Sequence, residues 1–490
     1  MKRLVSVLVL AAVLLLQTVP ASGNAGPTRW EGYPSSSVLA VEPGTPIRVD
    51  SERLVFDFSV NDDPVTKKDY DVGWVIGGRV TASYDMANPT DRMQRVQMAF
   101  PFIGSLASLS TQNIEVYAGE KAVPFGIYPG RAVESDHDYY GNDGSAGKVV
   151  FDFDAILADI SDDAFVSRHF TKSEQGTLYT VTVTPASDQP VYFALDYEKD
   201  AAKTNVIATG FSGHEWRAEN VRNSKWCYGT ETFELFVLGE PIDIRDSAFL
   251  DGEQTKQTDA YSMEVETDHM SVYAYIVERL AKSMLAGRDQ EQAAGALKLS
   301  DMQMYNVYAR EIDRRFAASD GFASNFDLSD AWHVDRILTL LYSVDFPADS
   351  TQRVSVSYKA FGSMNMRETS RPMYSFDYIF NPANRWHSFK DLTISVIPPK
   401  IAPFLIKSNA AFDREEDGTY TAYFESLPDE DLTFTLYERA DISVIEKVKG
   451  ALFREFGYLY PFILIMGAAI IAFLALVIAI VHRVRKKRKA

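Results

Sequence analysis

From Phe462 to Val481 the chain runs for twenty residues without a charge, and six basic residues follow within the next eight. Crossing about 30 Å of hydrocarbon at about 1.5 Å per residue takes roughly 20 apolar residues in a helix that satisfies its own backbone groups. The sequence therefore predicts a transmembrane helix over 461–482. A buried core helix is a poor alternative, because no globular core could cover the adjacent charge block. Tyr458 and Tyr460 precede the run, where aromatic rings favour the headgroup layer. Arg483, Arg485, Lys486, Lys487, Arg488 and Lys489 form a basic tail, 483–490. The positive-inside rule places that tail in the cytoplasm, against anionic lipid headgroups, with membrane lipid around 461–482.

The other end agrees with this topology. Lys2 and Arg3, the apolar run Leu4 to Leu16 and the small polar stretch Pro20 to Gly26 form the three regions of a secretory signal peptide, 1–25. The expectation is a single-pass protein of the cell membrane with its N-terminus outside. Across the whole chain 49 Lys and Arg stand against 67 Asp and Glu. Without the eight basic residues of leader and tail, the exported part holds 41 against 67, a net charge of −26. Such a surface disfavours nucleic acid as a partner. Cys227 is the single cysteine, which excludes an intrachain disulfide framework. An animal ectodomain of this length would usually carry several cysteines, so the chain leans toward a prokaryotic envelope.

Most of the exported chain reads as strands. Leu54, Phe56 and Phe58 alternate with smaller or polar residues, and Trp74 to Tyr84 and Arg92 to Phe100 repeat the pattern around Asn88-Pro89-Thr90. Lys148 to Phe153, Leu178 to Thr184, Val191 to Tyr197 and Glu231 to Leu238 continue it. From Val272 to Leu341 the period lengthens. Met304, Tyr308, Ile312 and Phe316 recur every fourth residue, and Val334, Ile337, Leu338 and Leu341 extend the helical reading, with Asp327, Ser329 or Asp330 as caps. Period two then returns: Val354, Val356 and Tyr358, then Leu392, Ile394 and Val396. Asp417-Gly418 predicts a tight turn, and Ala422 to Phe424 and Leu432 to Leu436 read as a strand pair.

The expected fold class is mainly β: two or more antiparallel β-sandwich-like domains with a helical insertion and one C-terminal transmembrane helix. The divisions are an N-terminal β-rich domain, 26–148; a second β-rich region, 149–270; the helical insertion, 271–343; a membrane-proximal sandwich, 344–438; and a stalk, 439–460. Gly450 and Gly457 weaken a continuous helix through that stalk.

Chemistry-bearing motifs are sparse. The acidic stretch 135–148 invites comparison with a calcium loop, but Tyr140 and Gly147 stand where that pattern requires oxygen ligands. His214 lacks a second histidine one helical turn on, where Ala218 stands. Cys227 reads as core filler rather than nucleophile. The sequence thus assigns no catalytic, cofactor-binding or metal residue. It favours a membrane-anchored extracytoplasmic binding or scaffold protein engaging an envelope protein partner. The alternatives are an envelope hydrolase with a noncontiguous site using His214, or an accessory subunit of a transport or secretion complex.

Overall fold

The computed structural model describes residues 29–30, 32–62, 75–109, 114–133, 151–217, 220–286, 299–456 and 460–489. Strands dominate and form five sheets. The largest has eight strands, and its centre joins chain segments distant in sequence: Arg48–Asp57 pairs antiparallel with Gly77–Asn88 and parallel with Leu392–Ile397, while Gly77–Asn88 pairs with Ser350–Phe361. Leu54 and Phe56 are buried on one side of their strand, and Phe58 continues that side just beyond it. Leu392, Ile394 and Val396 are buried beside them. The period-two pattern in each segment therefore buries a face, as a half-buried strand requires.

A six-stranded sheet built around Met373–Ile379 and Leu432–Tyr437 packs on this one through Phe56, Phe58, Phe376, Tyr378 and Phe434. Sequence locality suggested that Ala422 to Phe424 and Leu432 to Leu436 pair with each other. Instead Tyr420–Phe424 joins Leu392–Ile397 in the large sheet, and Leu432–Tyr437 joins Met373–Ile379 in the other. The two strands reach opposite sides of one core, which buries both apolar faces better than a lone hairpin would. Asp417-Gly418 does turn the chain: Gly418 has φ +91° and donates to Glu415 O at 3.0 Å.

The nine strands between 175 and 271, joined by Phe322–Ser324, form two five-stranded sheets. In one of them, Tyr261–Ser271, Gln175–Pro185, Glu231–Gly239, Thr204–Thr209 and Phe322–Ser324 lie side by side. Alternate residues in its middle serve two cores. Phe233, Leu235, Val237, Val206 and Ala208 face the second sheet, made by Gly213–Arg217, Asn220–Cys227, Val191–Glu198, Arg245–Phe249 and Gln257–Thr258. Phe236, Leu238, Ile207 and Leu178 belong to the main core, shared with the helices. Burial on both faces explains the unbroken apolar run from Leu235 to Leu238 in Glu231–Gly239.

Helix Asp301–Ala318 buries Met304, Tyr308, Ile312 and Phe316, the four residues that predicted it. The next helix, Asn325–His333, ends sooner than its period suggested. Val334 is already extended, and Arg336–Phe346 is a strand between Gln94–Gly104 and Gly126–Ala132. Its residues Ile337, Leu338, Thr339 and Leu340 are all buried, so both faces are apolar and the helical spacing arises by coincidence. The cap is Ser324 rather than Asp327, Ser329 or Asp330. Ser324 Oγ accepts from Asp327 N at 3.3 Å, and the Asp327 carboxylate reaches back to Ser324 N at 3.0 Å. Similarly, Asp152 caps a short helix, Phe153–Ala158, where the sequence had suggested the end of a strand.

Helix Val444–Phe456 occupies the expected stalk and is docked on the β body. Gly450 is what allows this. A Cβ there would collide with the backbone of Glu368 and Thr369, so the residue expected to weaken the helix permits its close packing. Glu446, on the same side of the helix, bonds to Ser370. Among the described residues no helix is long and apolar enough to cross a membrane. The expected span over 461–482 lies within helix Tyr460–Lys489, some of whose side chains fall outside the description, so the fold does not establish it.

Candidate functional site

A cleft of about 760 Å³ opens where the doubly buried sheet meets the helical layer. Three local features shape it. Strand Thr204–Thr209 ends at Gly210, which has φ +90° and lies so close to the next strand that a Cβ would sit 2.9 Å from Thr232 O. Opposite, Tyr275–Leu280 winds as a π-helix, and Tyr275 stacks on Phe236 with ring centroids 4.0 Å apart and planes 7° from parallel. The wide turn keeps Tyr275, Ile276 and Leu280 in the core while Glu278 and Arg279 reach the cleft. Third, the Ser324 capping box fixes the start of the helix that presents Asn325 and Ser329.

Most of the lining residues carry polar groups. Thr209, Thr232 and Ser283 bring hydroxyls, Glu234 and Glu278 carboxylates, and Met284 a flexible apolar edge. Arg279 is paired with Glu234, and Ser329 Oγ donates to Phe326 O at 2.8 Å. Behind this lining Asn325 Oδ1 is buried without a hydrogen bond, and the buried Tyr275 hydroxyl lies next to Thr209 and Glu234. Burial, reinforced by the Glu234 charge, pushes the Tyr275 phenol far above its ordinary range, so this hydroxyl stays protonated. A volume in the usual small-ligand range with convergent polar groups can orient a guest.

The residues singled out in the sequence do not meet in this cleft. His214 stands on strand Gly213–Arg217, its Nδ1 2.6 Å from Asn223 Oδ1 and its ring edge against Phe322; its Nε2 is buried without a partner. Cys227 is fully buried, and burial pushes its thiol up to about 11, the opposite of an activated nucleophile. The loop 135–148 lies outside the described residues, and among those that are described no group of three or more His, Cys, Asp or Glu could hold a metal ion. The cleft residues escaped sequence reading because Thr209, Glu278 and Asn325 carry no motif and are brought together only by the fold.

Two buried carboxylates elsewhere show what the interior does to charge. Asp313, on helix Asp301–Ala318, accepts from Ser167 Oγ at 2.6 Å and from Arg168 N at 2.8 Å, and His169 Nδ1 lies 2.8 Å away. Burial alone would raise its pKa, but these hydrogen bonds outweigh it and hold the carboxyl at about 2. They clasp segment 165–169 onto the helix, helped by Asn306 Oδ1, which accepts from Phe165 N at 2.7 Å. Glu52, in contrast, is sealed in the main core near Tyr84, Tyr378 and Tyr358. Burial drives its carboxyl up to about 8; the Tyr84 and Tyr378 hydroxyls pull the other way, but neither carboxyl oxygen makes a hydrogen bond of normal geometry.

No protein-family model and no curated protein matches the chain. Among solved structures, the chain is similar to a presumed nutrient-binding protein from Legionella pneumophila, at 8% identity over 89% of this chain and 86% of that one, with a TM-score of 0.30. A likeness at that score carries no argument about fold or ligand.

Proposed function

We propose that this chain is a membrane-tethered extracytoplasmic binding protein of the cell envelope, which engages a ligand or an envelope protein partner through the cleft between its sheet and helical layers. The observation that carries the binding reading is the cleft itself: a space of ligand size on which hydroxyl, carboxylate, guanidinium and amide side chains from several elements converge.

The tether rests on separate support. Ile465, Met466, Ile470, Phe473, Leu474, Val477, Ile478 and Val481 are exposed along helix Tyr460–Lys489 rather than packed on the body. A contiguous apolar surface of that kind calls for a covering, and the basic residues that follow suit the cytoplasmic face of a bilayer. Membrane lipid covers the run in this reading, and anionic headgroups meet Arg483 to Lys489.

In-cell crosslinking of the full-length protein, followed by solubilisation and mass spectrometry, tests the binding role. The expected result is a stoichiometric partner or ligand whose contacts map to the cleft. A monomer that retains nothing would count heavily against it. Alkaline carbonate washing of membranes tests the tether separately: the protein should remain in the pellet, and its release would remove the anchor from this account.

A further inference from the structure

Helix Val444–Phe456 is turned the opposite way from an ordinary surface helix. The side packed on the β body carries Glu446, bonded to Ser370, and Gly450, which fits against Glu368 and Thr369. Its outward side carries Val444, Ile445 and Val448, which are 77%, 66% and 52% exposed. At about 100° of turn per residue, these three share about 100° of arc centred nearly opposite the Glu446–Gly450 side. Partly buried Ala451 and Leu452 extend the stripe by a turn, exposed Glu455 ends it, and Lys447 and Lys449 flank it on either side. A surface helix in water buries its apolar stripe and leaves charge outside. With a carboxylate and a glycine inward and the apolar stripe outward, this helix calls for a second apolar medium on its far side.

On the reading that 461–482 spans the membrane, we propose that this stripe lies in the interfacial layer of the outer leaflet, so that the helix rests flat between the lipid and the β body. Position in the chain supports that occupant. Helix Tyr460–Lys489 begins four residues after Phe456, so at about 3.5 Å per residue the docked helix ends within about 14 Å of the start of the span. Its 13 residues make it about 20 Å long, whereas the headgroup layer is only about 5–7 Å deep on each side of the hydrocarbon. Upright, the helix would carry Val444, Ile445 and Val448 out into water; flat, it brings all three into the layer. The Lys447 and Lys449 stems then run along the edges of the stripe and lift their ammonium groups to the lipid phosphates. Ile465, Met466 and Ile470 continue the exposed apolar surface into the hydrocarbon. Lipid needs no shape match to cover the stripe, and it is the medium the chain enters next. The β body is thereby held close to the surface at residues 368–371 instead of swinging on a loose tether.

The test uses the full-length protein in phosphatidylcholine–phosphatidylglycerol vesicles, with the environment-sensitive fluorophore NBD on Ile445→Cys, Lys447→Cys or Val448→Cys. Native Cys227 is fully buried, so the introduced thiol takes the label in the folded protein. All three sites are exposed, and the melting temperature should not move. The expected result is blue-shifted emission from Ile445→Cys and Val448→Cys that brominated phosphatidylcholine quenches, with weaker quenching for Lys447→Cys. A charged, water-soluble thiol reagent should react with unlabelled Val448→Cys at least tenfold more slowly than with Lys447→Cys. Water-like emission that brominated lipid does not quench, in protein that withstands alkaline carbonate, would overturn the inference and leave the tether standing. Apolar emission without quenching would put a second copy or another protein over the stripe, and would overturn it as well. Release by carbonate would remove the tether, and the inference with it.

Discussion

Glu52 and Asp313 are both carboxylates almost fully removed from solvent, yet one is held protonated and the other strongly ionised. Burial opposes charge at both sites. The difference lies in the donors: Asp313 has the Ser167 hydroxyl, the Arg168 amide and the His169 ring aimed at it, whereas the Glu52 oxygens have only the Tyr84 and Tyr378 hydroxyls nearby, in poor geometry. Asp313 lies within its helix on the side covered by segment 165–169, whose backbone N–H groups are free to turn toward it. Glu52 sits mid-strand between sheets, where the neighbouring N–H groups are committed to the ladder. The comparison shows that local donor supply, more than depth, sets the charge state of a buried acid in this fold.

The largest expected effect is at Glu52. Its folded pKa of about 8 exceeds its ordinary value of 4.5, so its contribution to stability is intact below pH 4.5 and is lost as pH rises toward 8. At pH 7 this amounts to about 3 kcal/mol, at 1.36 kcal/mol per pH unit. Glu52→Gln should therefore match the natural protein near pH 4.5 and be more stable by about 3 kcal/mol at pH 7, as read by melting temperature across that range. Parallel melting curves at every pH would show that Glu52 does not hold its proton in the fold.

Asp313 should behave in the opposite sense. Its folded pKa of about 2 lies below its ordinary 3.8, so its contribution is present above pH 3.8 and disappears as pH falls toward 2. Asp313→Ala should cost about 2 kcal/mol at neutral pH and flatten the acid limb of the stability curve. An unchanged acid limb would show that the clasp contributes nothing through charge.

Removing single neighbours refines the contrast. Ser167→Ala takes one donor from Asp313 and should cost about 1 kcal/mol, with the carboxyl moving upward in a carbon-13 NMR titration. A carboxyl that stayed put would assign its depression to the Arg168 amide and the His169 ring. Tyr378→Phe removes a hydroxyl that pulls Glu52 downward, so the Glu52 carboxyl should rise further while stability at pH 7 falls by only about 0.5 kcal/mol. A downward move would mean that the phenol opposes ionisation rather than favouring it.

The same logic of local supply separates what was legible in the sequence from what was not. Met304, Tyr308, Ile312 and Phe316 announce a helix face, and Leu54, Phe56 and Phe58 a strand face, because each pattern depends on neighbours a few residues away. Val334 to Leu341 misled because a strand buried on both sides has no period of its own. Gly450 misled because its value lies in contact with Glu368 and Thr369, some eighty residues earlier. No part of the cleft was readable for the same reason: Gly210, Glu278 and Asn325 lie on three separate elements and meet only after the sheets have formed.

The sequence by itself determined the mainly β class, the helix Asp301–Ala318 and the charge-free run before a basic tail, since periodicity and charge act over a few residues. Only the tertiary structure decided that Arg48–Asp57 lies beside Leu392–Ile397, that Glu52 is sealed among tyrosines, and that polar side chains from separate elements border a cleft. Those outcomes depend on which distant surfaces can exclude water together, and the spacing of residues along the chain does not encode that choice locally.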